Sequence, residues 1–396
     1  MTMTHAPNPT NNIDIDGLDQ EEERNDEKDA INTPFDPKQV DIFAKKFTIS
    51  SLIERLKYKE LELTPDFQRR ANLWDETRKS RLIESILLRI PLPSFYFRED
   101  KDGNYAVVDG LQRLCSIFHF IDYTELNKAT GAKVNSLRLS NLQYLKEIED
   151  KDFSELDRVF TRRINELEIE ANIIRSSTPK EVMFNVFARL NQGGLPLSPQ
   201  EIRNAIYPGE WRTHVRTLSE SDEFKDATKG KIPTDRQQDM EMVLRFIALW
   251  ATTPKGQRKS GENLDKFLNE TVDKKLNSWS SENWKEVKEA FFSCMDVAVK
   301  IFGKHAFRKS FNNNSLSPIN KGIFEAQLIA LSKLSQDDRE ILIGRKESIC
   351  NKFGEEISNS YSKLSKSLRS GIGSADYSNS RIDELSRIFQ EVLNAQ

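Results

Sequence analysis

The spacing of apolar and polar positions changes character near residue 236. Upstream, short runs of two periods interleave. Ser51-Leu52-Ile53-Glu54 has the pattern of a capping box and predicts a short helix to about Tyr58. Asp75 is placed to cap a longer helix with the stripe Leu82, Ile83, Ile86 and Leu87, stopped by Pro91. Phe95-Tyr96-Phe97 and Tyr105-Ala106-Val107-Val108 are β-rich runs around Lys101-Asp102-Gly103-Asn104, which predicts a hairpin. Leu111 to Ile121 predicts a helix and Leu167 to Ile174 a strand. Thr178-Pro179-Lys180-Glu181 and Ser198-Pro199-Gln200-Glu201 are two further capping boxes, each with proline at the first helical position.

Downstream, helical periodicity dominates over 237–250, 264–276, 283–302, 321–334 and 381–395. Its clearest stripe is Trp284, Val287, Phe291, Cys294, Ala298 and Ile301, spaced by threes and fours as a buried helix face requires. No repeat of fixed length is present. These patterns predict an α+β class: an acidic tail and linker over 1–40, a small α+β domain over 41–235, and an all-α helical domain over 236–396.

Charge sharpens the first boundary. Residues 1–30 carry a net charge of −7, leaving +4 on the rest of the chain. The tail has almost no large apolar residues, so it is expected to be disordered. It is either a solvated leader or a polyanion mimic for a basic cleft. A balance of +4 is too small to mark a nucleic-acid binder by charge alone. Three widely separated cysteines, Cys115, Cys294 and Cys350, argue against a disulfide framework or zinc site and for a reducing compartment, so a cytoplasmic location is expected. No apolar run approaches the roughly 18–20 residues needed to span a bilayer, and no membrane association is expected.

Three segments could carry chemistry. In Val107-Val108-Asp109-Gly110-Leu111-Gln112-Arg113 a strand ends, glycine allows a sharp turn, and a helix starts within two residues. Backbone amides and the positive helix end then surround one concavity, which suits a phosphate. Arg113 could add a charged contact, Gln112 could orient a water, and Asp109 could hold Mg²⁺. The alternative is a plain strand–turn–helix junction. Thr64-Pro65-Asp66-Phe67-Gln68-Arg69-Arg70 offers polar side chains behind an apolar anchor, or is a solvated loop. Phe187-Ala188-Arg189-Leu190-Asn191-Gln192-Gly193-Gly194 runs into the helix capped at Ser198; it is either a second phosphate-contacting turn or a C-cap and turn.

Taken in order, these segments resemble the ParB/sulfiredoxin-like superfamily, and within it the N-terminal domain of GmrSD-type modification-dependent restriction systems. The residues that carry the likeness are Pro65 with Phe67-Gln68-Arg69, then Leu82-Ile83-Glu84-Ser85-Ile86 and Ile90-Pro91-Leu92-Pro93. They continue with Val108-Asp109-Gly110-Leu111-Gln112-Arg113, Phe187, Arg189-Leu190-Asn191, Gly194 and Leu197-Ser198-Pro199-Gln200-Glu201. The resemblance implies a nucleoside-triphosphate site with Mg²⁺ as cofactor, Asp109, Gln112 and Arg113 as catalytic residues and Asp109 as metal ligand. Gln68, Arg69, Gly110, Arg189, Asn191 and Gly194 would be nucleotide-binding. Relatives often carry glutamine after the glycine where this chain has Leu111; sulfiredoxin needs cysteine there, so redox repair is excluded.

The resemblance also implies a regulatory NTPase of a restriction or phage-defence system that signals to DNA or to a separate effector protein. The four histidines are scattered and no Asp-His pair occurs, so no HNH nuclease pattern is present. His119 is expected to be a packed helix residue. The rival reading is a non-enzymatic module that recognises DNA, perhaps modified DNA, through Arg69, Arg70, Arg78, Lys79 and Arg81 or through Arg158, Arg162 and Arg163.

Overall fold

A computed structural model describes residues 37–63, 74–190, 197–234, 236–252, 256–310, 316–369 and 373–395. The expectations for the acidic tail therefore lie outside the described residues. The chain divides into two compact units, Thr33–Pro208 and Gly209–Gln396. The first is the α+β unit; all the described strands lie in it.

Its sheet is mixed and five-stranded, in the order β1-β5-β3-β4-β2. β1 (Ile42–Thr48) runs antiparallel to β5 (Glu168–Ile174), and β5 runs parallel to β3 (Phe95–Glu99). β3 forms the expected hairpin with β4 (Tyr105–Asp109), and the short β2 (Leu61–Glu62) lies parallel beside β4. The hairpin turn is tied by the Asp100 carboxylate, which accepts from the Asp102 and Asn104 amides, each at 2.9 Å.

α1 (Ile49–Lys57), α2 (Glu76–Leu87) and α3 (Leu111–Thr130) share one core with the sheet. Phe47, Phe95, Phe97, Val107, Ile83, Ile86, Leu114 and Ile117 are all buried in it. Asp75 caps α2 as expected, accepting from the Arg78 amide at 2.7 Å. The first helix corrects the expectation: its cap is Thr48, whose hydroxyl accepts from the Ser51 amide, so Ser51 lies inside the helix. α4 (Arg158–Asn165) precedes β5. α5 (Lys180–Leu190) leads toward α6 (Pro199–Ile206), where Ser198 and Glu201 form the expected reciprocal capping box.

The second unit is helical among its described residues. Its helices are α7 (Trp211–Ser219), α8 (Asp222–Thr228), α9 (Gln238–Thr252), α10 (Leu264–Lys274) and α11 (Ser281–Phe302). They continue with α12 (Lys321–Ser332), α13 (Gln336–Gly344), α14 (Lys346–Ser358), α15 (Lys363–Ser367) and α16 (Ala375–Asn394). The change of unit falls at 208/209, upstream of the expected 235/236. The reason is packing: α7 packs on α9 and α8 on α11, with Phe224 of α8 stacked on Phe291. The predicted stripe of α11 is buried throughout, and burial pushes the Cys294 thiol up to about 11, as suits a small packed hydrophobe.

Candidate functional site

The site is built where β4 turns into α3. Gly110 has φ +90, a conformation that favours glycine, and starts α3 without a side-chain cap. A Cβ at this position would lie 2.2 Å from Cδ1 of Phe95, so the neighbouring strand also requires glycine. Close to the turn, the β3–β4 register shifts between Tyr96 and Phe97; Tyr96 is the cross-strand partner of Asp109 and Phe97 that of Val107. Such bulges locally re-aim side chains and are frequent beside active sites.

Arg113 fastens this corner. Its guanidinium lies 4.2 Å from the centroid of the Phe95 ring and donates to the carbonyls of Pro93 and Ser94. A further contact to Oδ2 of Asp109 measures 3.3 Å. Burial lowers the Arg113 pKa, and the Asp109 charge acts against that shift. The guanidinium therefore binds protein groups on several sides, rather than projecting alone toward a ligand. The Asp109 side chain keeps 38% of its surface exposed, against 14% for Arg113. Gln112 is half-buried, and its carbonyl accepts from the Ser116 hydroxyl at 2.7 Å.

The third segment packs on β3 beside the same corner. Phe187 of α5 packs edge-on against Tyr96, with ring centroids 6.1 Å apart and planes at 87°. The C-terminal end of α5, which carries Arg189, is thus anchored two residues from a contact to the partner of Asp109. α6 packs against β4 and holds a buried polar chain: Arg203 donates to Gln200 at 2.6 Å, and Gln200 donates to Asn204 at 3.0 Å. The side chain of Arg189, together with Gln68, Arg69, Asn191 and Gly194, lies outside what is described.

Several residues with charge or motif resemblance are structural. Glu84 is buried and accepts from the amides of Gln143, Tyr144 and Leu145 at 2.9, 2.6 and 3.0 Å. With Ser80, which accepts from the Ser140 amide, it pins the long 131–157 connection onto α2. Lys79 leaves the expected basic surface group: it is buried, 3.3 Å from Nδ1 of His119. Burial lowers the pKa of both. His119 is a packed helix residue as expected, with Nε2 2.8 Å from the Asn135 carbonyl oxygen. Arg163 donates to the Leu87 carbonyl at the end of α2.

Reading the sequence missed the part of Phe95, Tyr96, Pro93 and Ser94 at this corner. Two signals pointed to it: the i, i+4 spacing of Asp109 and Arg113, and the alternation that sends Tyr96 away from the core filled by Phe95 and Phe97. Among the described residues no cluster of three or more His, Cys, Asp or Glu side chains could hold a metal ion. No described helix is long and apolar enough to cross a membrane.

Residues 49–208 match the family of the GmrSD restriction endonuclease N-terminal domain. The match begins at α1, ends at the last residue of the α+β unit, and contains the whole Asp109–Arg113 corner. No curated protein and no solved structure matches the chain.

Proposed function

We propose that the α+β unit binds a nucleoside triphosphate with Mg²⁺ and hydrolyses it slowly, as the regulatory part of a restriction or phage-defence system. The observation that carries this reading is the junction at Gly110. A half-exposed carboxylate, Asp109, stands beside a helix that begins without a side-chain cap. The amides of the first turn of α3 favour a phosphate, and Asp109 suits a hard cation directly or through water. Arg113 keeps Asp109 oriented and adds positive charge to the corner, a different part from the free phosphate ligand its spacing suggests. Gln112 is assigned to orienting the attacking water. The nucleotide state would reach DNA or an effector protein through the helical unit.

The rival reading, a DNA-binding module without turnover, loses support from the fate of its basic residues. Lys79 is buried and Arg163 is bonded to the α2 terminus, while Arg78, Arg158 and Arg162 remain exposed. The experiment is phosphate release from ATP, GTP, CTP and UTP with Mg²⁺, comparing wild type with Asp109→Ala. Release lost in a variant that unfolds at the wild-type temperature supports the assignment. Equal release by both proteins, or none by either, overturns it, and duplex DNA at graded salt is then the ligand to test.

A further inference from the structure

We propose that Tyr96 is the nucleobase platform of this site: the triphosphate points toward the start of α3 and the base stacks on the Tyr96 ring. The inference rests on the nucleotide reading above and adds the subsite that would hold the aromatic part of the ligand.

The placement comes from the strand pattern. Phe95 and Phe97 are fully buried on the core face of β3, which directs Tyr96 to the opposite face. Tyr96 is the ladder partner of Asp109, next to the β-bulge. The ring is half-buried and is steadied edge-on by Phe187, itself only 1% exposed. A ring held by an edge contact is pre-organised for a planar partner. A residue serving the core alone would be expected to bury as Phe95 and Phe97 do. A nucleobase offers the exposed part of the ring a flat face. Stacking of bases on aromatic side chains is tolerant of base identity, so the subsite predicts modest selection among nucleotides.

The test separates base from phosphate. Affinities for ATP and for inorganic tripolyphosphate, both with Mg²⁺, are measured by calorimetry for wild type, Tyr96→Leu and Tyr96→Phe. Thermal unfolding of the three proteins runs alongside. Expected is about a tenfold loss of ATP affinity in Tyr96→Leu, with tripolyphosphate affinity unchanged and Tyr96→Phe close to wild type. ATP affinity retained in Tyr96→Leu overturns the platform, as does an equal loss for ATP and tripolyphosphate. Wild type that binds tripolyphosphate as tightly as ATP overturns the platform and leaves the phosphate site standing. Wild type that binds neither overturns the nucleotide reading itself.

Discussion

Arg113 lies over the Phe95 ring at 4.2 Å while bonded to the carbonyls of Pro93 and Ser94, and this joins the approach to β3 to the first turn of α3. The same guanidinium reaches Asp109 at 3.3 Å. An arginine so placed determines the shape of the corner as well as its charge. Arg113→Ala is expected to lower stability by about 2–4 kcal/mol, from lost charged hydrogen bonds and the lost cation–π contact. Asp109→Ala, at a half-exposed position, is expected to leave the unfolding midpoint almost unchanged while abolishing Mg²⁺-dependent phosphate release. Urea unfolding of both variants checks the contrast, and an Arg113→Ala protein as stable as wild type would refute the clamp.

Gly110→Ala tests the same corner from the backbone. The new methyl meets Phe95 at 2.2 Å and the residue must hold φ +90. The left-handed conformation costs about 1–2 kcal/mol and the overpacking about 1–3 more. Gly110→Ala combined with Phe95→Leu should recover only the packing part. Full recovery in the double variant, read from urea midpoints, would show that the backbone conformation carries no cost.

Much of this corner was legible in the sequence because its logic is local. The β3–β4 hairpin, the Gly110 turn and the Asp75 and Ser198 caps each depend on residues within a few positions of one another. What could not be read was tertiary. The Arg113 partners lie about twenty residues upstream, and only the folded chain brings the Pro93 and Ser94 carbonyls to it. Glu84 was visible as a motif residue, yet its role comes from three amides some sixty positions away. Lys79 looked like part of a basic face because charge in sequence says nothing of which helix side is buried. Thr48 displaced Ser51 as a cap because β1 runs straight into α1.

Glu84 gives a pH prediction. Burial pushes its carboxyl upward, but three backbone amides and Arg81 outweigh this and hold it below its ordinary value of 4.5. A depressed folded pKa means the unfolded chain binds the proton more readily, so the contribution is present above pH 4.5 and is lost as pH falls through the folded value. Glu84→Gln should be less stable than wild type at pH 7, with the difference shrinking on acidification. A difference independent of pH would show that the carboxylate charge contributes nothing.

His214 stacks on Trp284 at 4.3 Å with planes 8° apart, which makes the ring's protonation visible in tryptophan emission. Burial holds His214 below its ordinary 6.5, with Glu210 opposing. The neutral ring is therefore favoured by folding, so this contribution is complete above pH 6.5 and declines as pH falls toward the folded value. Emission should titrate with a midpoint below 6.5 and lose that transition in His214→Phe. An unchanged titration in the variant would assign the signal to another group.

The helical unit makes the last prediction by comparing two ionic clusters. Arg387 of α16 contacts Glu356, Glu384 and Glu391 at 2.5–2.8 Å with its own side chain 43% exposed. Glu325 of α12 makes fewer ion pairs, with Arg381 at 2.9 Å and Arg245 at 4.0 Å, and accepts from the Ser378 hydroxyl at 2.8 Å, but is buried with both arginines. Burial alone would raise its pKa; the charges of Arg381, Arg245 and Arg258 overcome that and lower it. Removing an exposed partner returns the remaining groups to water, whereas removing Glu325 takes a counter-charge from buried arginines that water does not reach, although Arg245 keeps Glu241 at 2.7 Å. Glu325→Gln is thus expected to cost about 3–5 kcal/mol, and Arg387→Ala to leave the unfolding midpoint near wild type despite the greater number of ion pairs. Urea unfolding of the two variants decides between burial and the number of ion pairs: a loss in Arg387→Ala equal to that in Glu325→Gln would mean that number prevails.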